Sequence, residues 1–266
     1  MGNALNFLVT ERLVRHLNGH LLLRIDDLDA ERMRPEYVED IFRSLEWLGI
    51  RWDEGPSGPD ELERTWSQRH RLPRYRQCLT DLRAKEVLYA CDHSRTTLHG
   101  ALLPGRPYCA HRKGDLSLDT PDMAWRLRIP TDARVDLHRF QGGADPLDLL
   151  TAIPDPVLRK RNGTPGYQIA SLCDDLDLGV DLIVRGSDLL PSSACQVHLA
   201  QVLGQGTFSE VRFVHHPLVV GRNGRKLSKS AGADSLKVLR ERGAAPSILK
   251  AKADKWIREL LKAGDG

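Results

Sequence analysis

Short apolar runs that end abruptly in charged residues alternate along this chain with amphipathic, helix-like stretches. Residues 20–25 form one such run and lead directly into Asp26, and residues 181–184 form another that ends at Arg185. Residues 213–220 form a third. Alternation of strands and helices is typical of a parallel sheet with helices on both faces, where ligands bind at the carboxyl ends of the strands. We therefore expect an α/β, Rossmann-like, doubly wound fold whose functional residues follow these runs.

Four stretches carry apolar residues at the spacing of an α-helix. They cover residues 5–17, 35–48, 68–85 and 246–262, and the last of them is also strongly basic. A fifth predicted helix is capped by Ser192 or Ser193 and extends to Leu203. Pro35 favours the first helical position of the second stretch, whose apolar stripe stops at Gly49. The pattern indicates a domain that alternates helices with buried strands.

The composition is that of a globular chain. The 266 residues are 41% hydrophobic and 28% charged, with a net charge of +3, which by itself does not indicate a nucleic-acid-binding protein. No apolar run is long enough to cross a bilayer, and no signal peptide is visible at the N-terminus. An odd number of cysteines, five, favours a reducing compartment. We expect a cytoplasmic monomer without membrane attachment.

Changes of character along the chain predict four regions. Residues 1–86 form the first half of the Rossmann-like domain, and residues 87–130, rich in Cys, His, Gly and Pro, form an insertion. Residues 131–245 form the second half of the domain, with a loop at 226–230, and residues 246–266 form a C-terminal helix.

The loop at 226–230 places two lysines around a serine. Lys226 and Lys229 follow a turn that contains Asn223 and Gly224. Ammonium groups on such a loop can follow a triphosphate as its charge redistributes during nucleotidyl transfer. A solvated surface loop is the alternative interpretation of this segment.

Six segments, in this order and separation, resemble the catalytic domain of glutamyl-tRNA synthetases. They are residues 23–29, 31–37, 47–56, 166–170, 184–190 and 226–230. The chain is most similar to the short paralogues in that family, the glutamyl-queuosine tRNA(Asp) synthetases, which lack an anticodon-binding domain, because it ends soon after the last segment. The resemblance implies ATP-dependent activation of glutamate, with Mg²⁺, and its transfer to the queuosine base of tRNA(Asp).

The resemblance also implies the roles of five side chains. Arg185 is expected to grip a substrate carboxylate, and Tyr167 to donate its hydroxyl to the substrate. Asp26 is expected to accept from the substrate ammonium, although the family usually has Glu here and a water can intervene. Lys229, and with it Lys226, is expected to bind ATP and act in catalysis. The alternatives are a surface ion pair for Arg185, a half-buried core aromatic for Tyr167, and a backbone cap for Asp26.

The insertion contains two Cys-x-His pairs. Thiolate and imidazole ligands suit tetrahedral zinc. Queuosine-modifying relatives carry a zinc site here, usually Cys-x-Cys followed by Tyr and Cys; in this chain a histidine replaces the second Cys, and Gly105 stands where the Tyr is expected. The alternative is an insertion without metal. The predicted zinc ligands are Cys91, His93, Cys109 and His111, with Tyr108 or His99 as substitutes for the fourth.

The first residues resemble only the end of the family's first ATP-binding signature. Gly2 and Asn3 match the end of His-x-Gly-Asn and are expected to contribute to the ATP site. The upstream part of the signature and the first strand would precede Met1, through a start codon placed too late or a true truncation. The chain as it stands is therefore expected to fold poorly or to be inactive.

Two other functions stay open at this stage. One is a fragment of a conventional glutamyl-tRNA synthetase, and the other is a non-catalytic remnant that binds tRNA or an amino acid. The basic segment at residues 64–76 or the one at residues 159–161 is expected to contribute to tRNA docking.

Overall fold

The computed structural model describes residues 2–29, 33–93, 109–114, 116–218 and 236–262. The chain divides into two compact units. The first contains residues 1–70, 184–188 and 214–266, and the second contains residues 71–183 and 189–213. Among the described residues, no helix is both long and apolar enough to cross a membrane.

Among the described residues, four α-helices precede the first strand, and strands alternate with α-helices only over residues 144–241. The α-helices are α1 (Gly2–His16), α2 (Pro35–Leu48), α3 (Pro59–Glu61), α4 (Leu72–Ala84), α5 (Leu149–Ala152), α6 (Tyr167–Asp177), α7 (Leu190–Leu203), α8 (Leu236–Glu241) and α9 (Ser247–Lys262). The strands are β1 (Leu88–Cys91), β2 (Ala124–Leu127), β3 (Arg134–His138), β4 (Ala144–Asp148), β5 (Val157–Arg159), β6 (Leu182–Gly186) and β7 (Arg212–His216). Shorter helical turns cover Leu62–Trp66, Gln68–Arg71, Ala110–Lys113, Ser187–Leu189 and Gly206–Glu210.

Four of the predicted helices are confirmed as α1, α2, α4 and α9, and the fifth is confirmed as α7, which begins at Leu190, before the predicted cap. The bounds of α2 could be predicted from local signals. Pro35 occupies its first turn, and Gly49 follows it in the left-handed conformation, with φ of 69°. Helix α4 begins later than predicted, at Leu72, because residues 68–71 form a 3₁₀ turn.

In the first unit, α1 packs against α9. The buried face of α1 carries Leu5, Leu8 and Leu13, and an ion pair from Arg12 Nε to Asp254 Oδ1, 3.0 Å long, joins the two helices at their edge. Each fully buried leucine contributes roughly 1.5–3 kcal/mol of hydrophobic stabilisation, far more than one exposed ion pair.

The strand predicted at residues 20–25 is wrong. Only Leu22 forms a bridge, parallel to Glu54. The backbone N–H of Leu21 donates to the Asp53 carboxylate, and that of Leu23 to the Glu54 carbonyl oxygen, at 2.8 and 2.9 Å. The segment is therefore extended and held by residues 53–54, but it does not form a ladder among the described residues.

The second unit contains two antiparallel sheets. Strand β2 lies between β1 and β5, and β3 pairs with β4. Two isolated bridges between described residues are parallel, namely Leu22–Glu54 and Arg139–Phe213. Strands β6 and β7 pair with each other and confirm the predicted strands at residues 181–185 and 213–220, of which residues 219–220 lie outside the described chain.

Candidate functional site

The two aspartates after the segment 20–25 have different environments. Asp26 is exposed and accepts hydrogen bonds from Arg24 Nε at 2.8 Å and Gln68 Nε2 at 3.2 Å. Asp27 is 4% exposed and accepts from Ser67 Oγ at 2.6 Å and the backbone N–H of Gln68 at 2.8 Å. The backbone-capping role considered for Asp26 therefore belongs to Asp27, and Asp26 keeps an exposed carboxylate.

Arg185 lies near the end of β6 and is 8% exposed. A Cβ on the next residue, Gly186, would lie 3.3 Å from Leu218 Cδ2 and 3.7 Å from His216 Cε1. The end of β6 therefore lies directly beside the point where the chain leaves β7 toward the predicted nucleotide loop. A guanidinium held in a buried position interacts more strongly with a carboxylate than one in water.

The start of α1 reaches the same end of β7. Asn6 Oδ1 lies 2.9 Å from His216 Nε2, and the His216 ring stacks on Trp256 of α9 at a centroid distance of 5.1 Å. Gly2 and Asn3, the predicted ATP-site residues, form the first turn of α1. The other predicted ATP-site residues, Lys226 and Lys229, lie outside the described residues.

Tyr167 is the first residue of α6 and is 41% exposed. The preceding Gly166 allows a very close approach to β5, since a Cβ there would lie 2.6 Å from the Val157 carbonyl oxygen and 3.1 Å from that of Leu158. The backbone N–H of Gly166 donates to the Leu158 carbonyl oxygen at 2.7 Å. Gly166 therefore fixes where α6 begins, and Tyr167 follows it as a partly exposed residue.

Three of the predicted zinc ligands come together in the second unit. Cys91 ends β1, Cys109 caps the 3₁₀ turn 110–113, and both are buried. Their sulfur atoms lie 3.9 Å apart, and His93 Nδ1 lies 3.4 Å from Cys91 Sγ and 3.7 Å from Cys109 Sγ. Burial and the neighbouring Cys91 raise the pKa of the Cys109 thiol to about 11.

These spacings fit a tetrahedral metal ion. Zinc bonds of about 2.3 Å to sulfur and about 2.05 Å to nitrogen place two sulfurs roughly 3.8 Å apart and a sulfur and a nitrogen roughly 3.6 Å apart. The observed spacings of 3.9, 3.4 and 3.7 Å match those values. The Cys₂His donor set therefore fits zinc in both chemistry and geometry.

His111 is the described candidate for a fourth ligand. Its backbone N–H donates to Cys109 Sγ at 3.3 Å, and its ring centroid lies 4.9 Å from that of His93. Its Nε2 lies 3.1 Å from Asp92 Oδ1, so His111 groups with Asp92 and His93 and does not join the cluster of Cys91, His93 and Cys109. The substitutes Tyr108 and His99 lie outside the described residues.

Many arginines of the two basic segments are engaged within the protein. Arg71 Nε lies 2.6 Å from Asp174 Oδ1, and Arg74 Nε lies 3.1 Å from Asp177 Oδ2. In the other segment, Arg159 lies over the Trp125 ring at 4.8 Å. The charge available to an external polyanion is therefore smaller than the sequence suggests.

Sequence reasoning missed Ser67, Gln68 and Asp92. Gln68 contacts Asp26 across 42 positions of sequence, so no local pattern reveals the contact. Asp92 offered a signal, because it stands between two predicted ligands and an outer-shell carboxylate is common beside a metal-binding histidine.

Comparison with known proteins adds a family and a fold. The chain matches the family "tRNA synthetases class I (E and Q), catalytic domain" over residues 1–101 and 130–252. It is 35% identical to glutamate–tRNA ligase 1 of Cereibacter sphaeroides and 34% identical to glutamate–tRNA ligase 1 of Ruegeria pomeroyi. Each alignment covers 94% of this chain and 56% of the relative, so the chain spans about half the length of the curated relatives it matches.

Two crystal structures share the fold. The glutamate–tRNA synthetase of Elizabethkingia anophelis superposes with a TM-score of 0.67 at 23% identity, over 87% of this chain and 50% of that one. The glutamate–tRNA ligase of Elizabethkingia meningosepticum, solved in complex with its amino acid, gives a TM-score of 0.66 at 24% identity, over 87% of this chain and 49% of that one. The predicted α/β fold is thereby confirmed, and the chain belongs to the class I tRNA synthetase family that comprises the catalytic domains of the glutamate and glutamine enzymes.

Proposed function

We propose that this chain activates glutamate with ATP and transfers it to a tRNA, with the queuosine base of tRNA(Asp) as the acceptor. The observation that carries the activation step is Arg185, a buried arginine near the end of β6, where the next residue, Gly186, lies beside the root of the predicted nucleotide loop. Family membership supports the same reaction class.

Activation joins the α-carboxylate of glutamate to the α-phosphorus of ATP and releases pyrophosphate. The site must hold an amino acid with two carboxylates and one ammonium, orient its α-carboxylate, and neutralise the phosphate charge. In the proposed arrangement Arg185 grips a carboxylate of the substrate, Asp26 accepts from its ammonium, and Tyr167 donates its hydroxyl. Lys226 and Lys229, with Mg²⁺, neutralise the phosphates, and Gly2 and Asn3 contribute to the ATP site.

The queuosine acceptor is supported by the Cys/His cluster. Zinc held by Cys91, His93, Cys109 and His111 would join the end of β1 to the 3₁₀ turn 110–113 and so stabilise this segment. The resemblance assigns such a site to queuosine-modifying relatives, and the ligand spacing in this chain fits it. We also place the protein in the cytoplasm, where reduced thiols are available to bind a metal.

A conventional glutamyl-tRNA synthetase activity is the second candidate. It is favoured by the matched relatives, which are glutamate–tRNA ligases. A non-catalytic remnant is the third, and it predicts binding of glutamate or tRNA without formation of an adenylate.

The decisive assay compares acceptors under identical conditions. Glutamate-dependent ATP–pyrophosphate exchange is measured first, and [¹⁴C]glutamate transfer is then measured to queuosine-containing tRNA(Asp), to the same tRNA with guanosine in place of queuosine, and to tRNA(Glu). The proposal predicts exchange and labelling of the queuosine-containing tRNA alone, whereas the expectation from the sequence that the chain as it stands is inactive predicts neither. Labelling of tRNA(Glu) would establish the conventional activity, and glutamate binding without exchange would establish the remnant.

A further inference from the structure

The Asp26 carboxylate is oriented from one side. Its Oδ1 accepts both of the hydrogen bonds that it receives from described residues. The donors are Arg24 Nε at 2.8 Å and Gln68 Nε2 at 3.2 Å. The side chain is 43% exposed. Two donors on one oxygen fix the rotation of the carboxylate and direct Oδ2 away from them.

Gln68 is held rigidly while it makes this contact. Its backbone N–H donates to Asp27 Oδ1 at 2.8 Å, and the preceding Ser67 donates its hydroxyl to Asp27 Oδ2 at 2.6 Å. Gln68 is 2% exposed, Ser67 is fully buried, and Asp27 is 4% exposed. A buried carboxylate that is satisfied by two close donors gives a fixed anchor, so the Gln68 amide occupies a defined position.

This arrangement matters because the anionic residue here is an aspartate. An aspartate carries its carboxylate one methylene closer to the backbone than a glutamate does, so its reach toward a substrate ammonium depends on its side-chain rotamer. A neutral amide donor can select that rotamer without adding a second positive charge beside the carboxylate. Gln68 is suited to this task.

We propose that Gln68 is a positioning residue for amino-group recognition: it holds Asp26 so that Oδ2 receives the ammonium of the amino-acid substrate. The proposal rests on the proposed glutamate activation and adds to it the residue that lets an aspartate serve at this position. Gln68 acts through Asp26 and does not itself contact the substrate.

The test compares two ligands that differ only in the ammonium. L-Glutamate and glutarate both carry two carboxylates, but glutarate has no amino group. Binding of each to the chain is measured by isothermal titration calorimetry for the unmodified protein and for Gln68→Leu, which keeps the size of the side chain and removes the donor. Gln77→Leu is the matched control, because Gln77 is exposed on α4 and bonds only to Asp81 among the described residues.

Gln68→Leu is expected to weaken L-glutamate binding about tenfold, the size typical of a lost hydrogen bond to a charged group, and to leave glutarate within about twofold. In the exchange assay the KM for glutamate rises while kcat and the KM for ATP stay near their original values. Gln68→Glu places a second carboxylate against Asp26 and is expected to weaken L-glutamate further.

Three results would overturn the inference. Equal loss for both ligands would make Gln68 a merely structural residue, and unchanged L-glutamate binding would remove any role. A crystal structure of Gln68→Leu that keeps the Asp26 carboxylate in place would contradict the positioning directly, without reference to substrate. Absence of glutamate binding by the unmodified chain would instead overturn the proposed function and the inference together, so the two failures are distinguishable.

Discussion

Cys91 Sγ and Cys109 Sγ lie 3.9 Å apart, although 18 positions separate the two residues in sequence. Cys91 ends a strand and Cys109 precedes a 3₁₀ turn, so the pair joins two separate elements of the second unit. With His93 Nδ1 within 3.7 Å of both sulfurs, the three side chains already occupy three corners of a tetrahedron that suits zinc.

Cys109→Ser is therefore expected to abolish zinc binding. Serine keeps the size of the side chain but replaces a thiolate ligand by a hydroxyl, which binds zinc poorly at neutral pH. Elemental analysis after dialysis is expected to find about one equivalent of zinc in the unmodified protein and almost none in the variant. Cys195→Ala is the control, because this buried thiol lies on α7, outside the cluster. Equal zinc content in all three proteins would contradict the assignment.

Arg185→Lys is expected to reduce glutamate-dependent activation by about ten- to a hundredfold. Lysine keeps the positive charge but lacks the planar fork that binds a carboxylate through two parallel hydrogen bonds. The measurement is kcat/KM for glutamate in ATP–pyrophosphate exchange, and binding of L-glutamate by calorimetry. Arg76→Lys, an exposed position on α4, is the control. A variant as active as the control would show that position 185 does not bind substrate.

The sequence predicted helices better than strands. Helix α2 could be predicted because Pro35, an apolar stripe and Gly49 are all local signals. The run at residues 20–25 has the composition of a strand, but whether it forms a ladder depends on its partners, and its N–H groups are satisfied by residues 53–54. The antiparallel order β1-β2-β5 was likewise not predicted, because pairing between distant segments leaves no periodic signal in either one.

The candidate site was predicted in its residue types but not in its internal contacts. Adjacent Asp26 and Asp27 are indistinguishable in sequence, yet only Asp27 is buried and bound to a backbone N–H. In the metal cluster, the Cys-x-His spacing was enough to select Cys91, His93 and Cys109. The link from Asp92 to His111 depends on the path of the chain between the pairs, which the spacing does not fix.

Asp53→Asn is expected to make the free energy of unfolding depend less on pH in the acidic range. The backbone N–H of Leu21 and then the Arg15 guanidinium, both 2.8 Å from Oδ2, lower the pKa of the Asp53 carboxyl below its usual value. Because the folded-state pKa is the lower one, the stabilisation is present above the unfolded pKa of about 3.9 and is lost as the pH falls through the folded value. Asparagine removes this dependence.

The measurement for Asp53 is the urea midpoint at pH values from about 6 down to about 3, across the titration range of an unfolded aspartate. The midpoint of the unmodified protein should fall more steeply than that of Asp53→Asn. Asp60→Asn, an exposed carboxylate in the same unit, should follow the unmodified protein. Parallel curves for all three proteins would mean that protonation of Asp53 is not coupled to folding.

Gly166→Ala is expected to destabilise the second unit and to displace the start of α6. The added Cβ would lie 2.6 Å from the Val157 carbonyl oxygen and 3.1 Å from that of Leu158, both backbone atoms that cannot rotate away. Overpacking of this kind costs about 1–3 kcal/mol, which lowers the melting temperature by several degrees in a domain of this size. The shift also moves Tyr167, so any ligand affinity that depends on its hydroxyl should fall.

Gly206→Ala is the matched control for that prediction, because a Cβ at Gly206 meets nothing within 4 Å and the residue lies in the same unit. Differential scanning calorimetry of both variants distinguishes a steric clash from a general loss of glycine flexibility. Without a clash, a Gly→Ala change only lowers the conformational entropy of the unfolded chain, which makes it neutral or slightly stabilising. The clash requires a lower melting temperature in Gly166→Ala only. Equal shifts of the melting temperature in the two variants would show that β5 and α6 can move apart without loss of stability.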